Sequence, residues 1–381
     1  MDYKTLDDFS FKGKRVLLRS DINSEISDKK VILNDRIIES AKTIKELQQK
    51  GASVVVLAHQ GRPGKKDFIS LKQHSKLLNK YVKIKFVPSI IKDKALNEIK
   101  NLKNGEALLL ENIRFLKEEF TPPDNKIVKT LSPLFDYYVN DAFSVSHREQ
   151  TSIVGFPKIL RSCIGRVMEK ELKNLDKIKI NNCLFILGGA KAEENILLLK
   201  NKNVLTCGIF GQLCVIAKGK NLGAQNKFLK DELKIILQLK RNLHKGVITP
   251  ADFALKIKNK RAELSISEFP SKYEIFDIGE KTQEIYIDKI KNAEAVFMKG
   301  TAGYCEEKQF CRGTKSILNA ISNSGAFSII CGGHLTSALR KLKINKDKFD
   351  YISLSGGATV EYIAGKKLPG LEVLKREHDK I

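Results

Sequence analysis

The sequence predicts an α/β protein of two domains, each a parallel sheet flanked by helices, joined by a hinge helix. Three observations predict it. The chain has 381 residues, more than one compact core of common size holds. Short β-branched runs alternate with amphipathic helical stretches throughout, which is the grammar of βαβ units and of parallel sheets covered on both faces. Between the two halves, "RSCIGRVMEKELKNLDKI" (161–178) reads as one long helix without strand character. The expected division is a first domain at 1–158, the hinge helix at 159–178, a second domain at 179–366 and a C-terminal tail at 367–381.

In the first half the expected strands are "RVLLRSDIN", "SVVVLAH", "KIKFVPS", "EALLLENIRF" and "YYVNDAF". Between the first two lies "NDRIIESAKTIKELQQKG". Asn34 suits an N-cap; Ile37, Ile38, Ala41, Ile44 and Leu47 recur near helical spacing; Gly51 closes the helix. In the second half the expected strands are "CLFILGGA", "NVLTCGIFG", "GVITPADFAL", "YEIFDIG", "AVFMKG", "FSIICGG" and "YISLSGGA".

Composition sets limits. Hydrophobic residues are 42% and charged residues 29%, the balance of a globular protein in water. No apolar run has the length of a membrane helix, and the first fifteen residues lack a signal-like apolar core. The seven cysteines are odd in number, form no C-x-x-C and sit partly in apolar runs, so buried reduced thiols in a cytoplasmic protein are expected. The net charge of +24 admits two readings: a nucleic-acid or membrane partner, or a Lys-rich surface that partly serves anionic substrates. The lysines are spread along the chain without a basic tail or interleaved aromatics, which favours the second.

Two kinds of anion site follow from the strand ends. "FILGGAK", "SIICGGH" and "ISLSGGA" each end a strand on paired glycines before a helical stretch. Such turns let backbone amides approach a ligand, and a polyphosphate of a nucleotide suits three of them. The first half offers side chains instead. "RSDIN" presents Asp21 and Asn23, "AHQGR" presents His59 and Arg62, "ENIRF" presents Arg114, and "NDAFSVSHR" presents His147 and Arg148; Arg36 opens the first helix. Guanidinium groups bind phosphate and carboxylate by bidentate forks, so this half suits a small, multiply anionic molecule. A chain holding both sites is built to move a phosphoryl group between them, by positioning, charge neutralisation and closure.

"RSDIN", "NDRIIES", "HQGRPG", "LLENIRF", "VNDAFSVSHREQTSIVGFP", "LGGAK", "DIGEKT", "LSGGATVEYIAGKKLPGLEVL" and, more loosely, "KGTAGYCEEKQFCRGT" also carry a resemblance. Over nearly its whole length the sequence resembles phosphoglycerate kinase, archaeal branch. The resemblance implies two Rossmann-like lobes and a tail that returns to the first. It implies reversible phosphoryl transfer between 1,3-bisphosphoglycerate with ADP and 3-phosphoglycerate with Mg-ATP, Mg²⁺ being the cofactor and monomer or homodimer the assembly. By motif match, Arg62, Arg114 and Arg148 would hold the distal phosphate, and Asp21, Asn23 and His59 the hydroxyl and carboxyl end. Arg36 and Lys191 would act on the transferring phosphoryl. Gly188 and Gly189 would flank the nucleotide, Gly332, Gly333, Gly356 and Gly357 would give amides near the transfer site, with His334 beside them, and Glu306 would meet the ribose.

The second half departs from the family's bacterial and eukaryotic pattern. Asn195 stands where a second lysine is usual, and His334 where an Asp helps to hold Mg²⁺; a neutral imidazole is a poor ligand for that hard cation. Lys299-Gly300-Thr301 replaces Asn-Gly-Pro, and Ser355-Gly356-Gly357 a triple glycine. Lys299 either replaces the charge lost at Asn195 or is a solvated surface change. His74, His244 and His378 read as surface residues, and His147 as support for the turn. The rival to an active kinase is a catalytically impaired relative that binds nucleotide or nucleic acid.

Overall fold

The computed structural model describes residues 2–178 and 182–375. The chain forms two compact units. The first comprises the described residues up to Lys173 together with those from Lys367 onward; the second runs from Asn174 to Lys366. Residues 376–381 of the expected tail, His378 among them, lie outside the described residues, as do 179–181 at the start of the second half.

In the first unit the strands are β1 (Arg15–Ser20), β2 (Ile26–Ser27), β3 (Lys30–Val31), β4 (Ser53–Leu57), β5 (Lys85–Val87), β6 (Ala107–Leu110), β7 (Tyr137–Asp141) and β8 (Arg161–Ile164). β2 and β3 form a separate antiparallel ribbon. The other six make one parallel sheet in the order β5-β6-β4-β1-β7-β8. β4 is "SVVVL", buried at every position, the continuous apolar run of a strand covered on both faces. Alternate residues feed opposite cores. Val16, Leu18, Val54 and Val56 pack with Ile37, Ala41, Ile44 and Leu47 of the helix Asp35–Gln49. Leu17, Val55 and Leu57 pack on the other side with Ile99, Leu131 and Phe156. The helix begins as its sequence predicts: the Asn34 side chain accepts from Ile37 N, a cap worth about 1 kcal/mol. Gly51, at φ +79°, takes the left-handed position just beyond its end.

The second unit holds β9 (Cys183–Leu187), β10 (Val204–Thr206), β11 (Val247–Ile248), β12 (Asp252–Ile257), β13 (Lys260–Ser265), β14 (Ile275–Ile278), β15 (Ala295–Lys299), β16 (Phe327–Cys331) and β17 (Tyr351–Ser353). Its main sheet is again parallel and six-stranded, in the order β11-β10-β9-β15-β16-β17.

Several expectations need correction. Arg161–Ile164, expected inside a helix over 159–178, is β8; it pairs with β7 at the sheet edge and buries Cys163 and Ile164. The helix that follows is only Arg166–Leu175. A four-residue edge strand that opens on Arg-Ser carries too little apolar pattern to be told from the helix beside it. "GVITPADFAL" is not one strand. Pro250 lies between β11 of the main sheet and β12, which joins β13 and β14 in a small antiparallel sheet. Cys305 and Cys311 are a disulfide, because the turn between them, including the short 3-10 helix Lys308–Phe310, returns the chain until their Cα atoms are 4.4 Å apart. The other five cysteines are buried thiols. His74 is fully buried, with its Nε2 on Gln60 Oε1 at 3.0 Å.

Candidate active site

Parallel pairing sends the carboxyl ends of β1, β4, β6 and β7 to one edge of the first sheet, and the basic residues gather there. Asp21, just past β1, accepts from the Arg36 guanidinium at 2.9 Å, from the Ser144 hydroxyl, and from Asn23 N at 3.0 Å. Burial alone would raise its pKa; the Arg36 charge and these donors outweigh that and hold the carboxyl ionised, well below the usual range. Asp21 therefore aims Arg36. Asn23 Oδ1 accepts from Gly61 N at 2.9 Å and so fixes the loop after β4.

That loop is over-determined. Gln60 exchanges hydrogen bonds with the Ser24 backbone, at 2.9 and 3.0 Å, and its own backbone is gripped by the Asn112 amide. Gly61 sits at φ +67°, and a Cβ there would lie 2.3 Å from Asp67 O, so only glycine fits. The result buries His59 and leaves Arg62 exposed.

Arg19, which the motif reading passed over, lies at the centre. It is fully buried on β1, and donates to Ser152 Oγ at 2.8 Å, to Ser20 O at 2.6 Å and to His59 Nδ1 at 3.2 Å. A guanidinium only donates, so Nδ1 accepts and the ring proton sits on Nε2. Burial first, then the positive charge of Arg19, pushes the His59 pKa far down, so the ring is neutral. Ser152 passes the contact on through its amide and hydroxyl to Glu119, itself fully buried. Arg114 is buried also. It donates to Gly61 O at 2.6 Å and Gln150 Oε1 at 3.4 Å, while its Nε is buried without a hydrogen bond. Burial, then repulsion from Arg19 and Arg148, lowers its pKa to about 10. Arg148, half-buried, donates to His147 Nε2 at 3.2 Å; the sequence suggested support for the turn, and the contact found is with the arginine side chain. The edge thus presents a positive cluster, with Asp21 and Glu119 buried beside it.

In the second unit the three Gly-Gly turns separate into two kinds. A Cβ on Gly188 would meet Thr301 O at 2.6 Å and Cys207 Sγ at 2.7 Å; the amides of Gly188 and Gly189 donate to Lys299 O and Thr301 O. This pair is glycine because protein backbone crosses it. A Cβ on Gly332, Gly333 or Gly356 meets nothing within 4 Å, and one on Gly357 meets only the Glu194 carboxylate, at 3.5 Å. These glycines open onto space where a ligand backbone contact is possible. His334 is exposed at the start of the helix Gly333–Lys341. Glu306 is exposed and paired with Lys341 at 2.5 Å.

Lys191 is largely exposed, its ammonium 3.8 Å from Glu194. Lys299 is buried, and its ammonium donates to Asn195 Oδ1 at 2.9 Å and pairs with Glu194 at 3.0 Å. The surface reading of Lys299 is thereby overturned. Among the described residues no group of three His, Cys, Asp or Glu side chains is arranged to hold a metal, and no helix is long and apolar enough to cross a membrane.

The family model for phosphoglycerate kinase matches residues 6–366. The chain is 40% identical to the phosphoglycerate kinase of Methanothermus fervidus over 98% of its length and 97% of the relative's. It is 41% identical to that of Saccharolobus solfataricus, covering 97% and 96%. Its fold is similar to the crystal structure of phosphoglycerate kinase from Pyrococcus horikoshii OT3, with a TM-score of 0.91 at 33% identity, over 99% of this chain and all of that one. Matches of this length and identity in both sequence and fold leave one conclusion: the chain belongs to the phosphoglycerate kinase family, phosphotransferases with a carboxyl group as acceptor.

Proposed function

We propose that the first unit binds 3-phosphoglycerate and the second binds the nucleotide, with the residues divided as follows. Arg62, Arg114 and Arg148 hold the distal phosphate of the glycerate. His59, as the neutral Nε2–H tautomer, donates toward its carboxyl end, and Asn23 fixes the loop that carries both His59 and Arg62. Arg36, aimed by Asp21, faces the carboxylate that attacks. On the second unit Gly332, Gly333, Gly356 and Gly357 offer backbone amides to the polyphosphate with His334 alongside, Glu306 meets the ribose, and Lys191 accompanies the transferred group. Gly188 and Gly189 shape the turn rather than donate.

In the glycolytic reaction and its reverse, a phosphorus–oxygen bond to ADP is exchanged for one to the glycerate carboxylate. That carboxylate is ionised at neutral pH, so no residue need remove a proton. The protein's work is to place the two oxygens in line and to neutralise the spreading charge. Mg²⁺ enters with the nucleotide as part of the substrate and offsets the charge of its phosphates; nucleotide oxygens and water are its proposed ligands here. Turnover then requires Arg36 and Lys191 to reach the same phosphoryl group. We place the enzyme in the cytoplasm, where ATP and ADP are kept.

The observation that carries this reading is the like-charge grouping of buried Arg19 and Arg114 with half-buried Arg148, which an anion relieves. The test is Arg36→Ala. It should lower turnover about a hundredfold or more while the Kd for 3-phosphoglycerate moves far less, since its role is toward transition-state charge. Equal losses in both would remove that role.

A further inference from the structure

In the second unit the mechanism above leaves a buried cation unused. Lys299 ends β15 with its ammonium turned inward, 7% exposed. Its surroundings are specific. Asn195, fully buried, accepts from the ammonium through Oδ1 at 2.9 Å and donates through Nδ2 to Gly188 O at 2.9 Å. The Lys299 carbonyl accepts from Gly188 N at 2.7 Å, so main chain and side chain both clamp the lysine to the turn after β9. The remaining neighbour is Glu194, whose two oxygens face different ways. One lies 3.0 Å from Lys299; the other lies 3.8 Å from Lys191 and 3.5 Å from where a Cβ on Gly357 would stand. One carboxylate thus serves two lysines beside a glycine that is open on its other sides.

A buried ammonium is costly unless paired, and an ion pair this deep is seldom retained for stability alone. Asn195 carries no charge and can only hold the ammonium in place. Glu194 is the exchangeable partner: it is a third exposed, one of its oxygens points to the open glycine, and an incoming phosphate oxygen has the same charge and hydrogen-bond chemistry.

We propose that Lys299 is a phosphate-binding residue of the nucleotide site and that Glu194 is its stand-in anion, displaced when the polyphosphate of a nucleoside diphosphate or triphosphate arrives. Asn195 is the positioning residue that keeps the ammonium aimed. The proposal rests on the assignment of the nucleotide to the second unit, and it predicts effects of opposite sign for the two members of one ion pair. Removing the cation weakens nucleotide binding; removing the carboxylate strengthens it.

The experiment is calorimetric titration of the full chain with ADP in magnesium-free buffer, and in parallel with 3-phosphoglycerate. Lys299→Met should raise the Kd for ADP about tenfold or more, the worth of one charge-assisted hydrogen bond, and leave 3-phosphoglycerate within about twofold. Glu194→Gln should lower the Kd for ADP by about threefold or more, because the competitor is gone while the amide still packs. If Lys299→Met does not fold, Glu194→Gln decides alone, since a purely structural ion pair predicts lost stability and no gain in affinity. An unchanged or weakened ADP affinity in Glu194→Gln overturns the stand-in role, and an unchanged one in Lys299→Met overturns the phosphate contact. Wild-type chain that binds 3-phosphoglycerate but not ADP overturns the nucleotide assignment with it, whereas ADP binding insensitive to both variants overturns this proposal alone.

Discussion

Arg19→Met removes the cation at the centre of the first unit while keeping most of the side chain's volume. Arg19 makes three hydrogen bonds, to Ser152 Oγ, Ser20 O and His59 Nδ1. Its charge also balances Glu119, which is fully buried and whose pKa burial already raises. Ser152 stands between the two charges, so the about 3–5 kcal/mol lost on removing one member of a direct buried ion pair is an upper bound here. Two effects act against that. Arg114 is relieved of a like charge, and Glu119 can take up a proton instead of remaining ionised. We therefore expect a loss of about 3 kcal/mol at pH 7, near the bottom of that range. The loss should shrink toward pH 5 as the orphaned carboxyl protonates. Arg19→Met with Glu119→Gln should recover part of it, since the uncompensated charge is then absent. With no tryptophan in the chain, differential scanning calorimetry and urea titration followed by circular dichroism are the suitable assays; calorimetry also separates the transitions of the two units. A single variant that costs under about 1 kcal/mol at pH 7, or a double variant no more stable than the single, would refute the view that Arg19 and Glu119 sustain each other.

Other outcomes follow from the same structure. His74, which burial holds neutral with a pKa down to about 4, stays mostly unprotonated in the folded state at pH 5, whereas the unfolded chain takes up the proton; stability therefore falls as pH drops below about 6.5, and His74→Leu should lose about 2 kcal/mol of the difference between the unfolding free energies, from urea titration, at pH 7 and pH 5. A pH difference equal in both proteins would count against the buried neutral ring. Gly188→Ala should destabilise by about 1–3 kcal/mol or more through the clash with Thr301 O and Cys207 Sγ, whereas Gly333→Ala should keep its melting temperature and lose ADP affinity, because its Cβ enters open space. Arg62→Met, exposed, should weaken 3-phosphoglycerate without changing stability, while Arg114→Met should change both, as its guanidinium also holds Gly61 O; equal stability in the two variants would contradict the division.

What the sequence made legible was periodic or glycine-marked. The alternation of apolar runs and amphipathic helices sufficed for two parallel sheets, though not for six strands in each, and the Asn34 cap and Gly51 stop placed the first helix. Features set by partners distant in sequence were not legible. β8 is a strand only because β7 offers it an edge, and β13 is one only because β12 does. Arg19 lies in a run of otherwise ordinary strand residues; its one signal was a charge where an inward position was due, and its side-chain partners, His59 and Ser152, lie 40 and 133 residues away. His74 looked like a surface histidine because the residue it serves, Gln60, is on another element. The three Gly-Gly pairs were identical as strings. Whether protein backbone or empty space lies across each one is a tertiary fact, and it separates Gly188 from Gly333.

On the division of ligands proposed above, the two units face the same problem, holding a strongly anionic molecule, and they meet it at different costs. In the first, guanidinium groups are buried near one another and stay charged even though burial and repulsion ease the Arg114 proton off to about 10. Asp21, paired with Arg36, and Glu119, beside Ser152, offset only part of the charge of Arg19, Arg36, Arg114 and Arg148. Charge is therefore left over in the free unit, and a bound anion removes a repulsion as well as adding an attraction. In the second, the open glycines carry no charge and cost little when empty, while the one buried ammonium, Lys299, is already paired with Glu194. A ligand there must first displace what the protein supplies. The first arrangement favours grip and the second favours exchange, and an enzyme that must release ADP or ATP at every turnover has reason to keep the exchangeable partner on the nucleotide side.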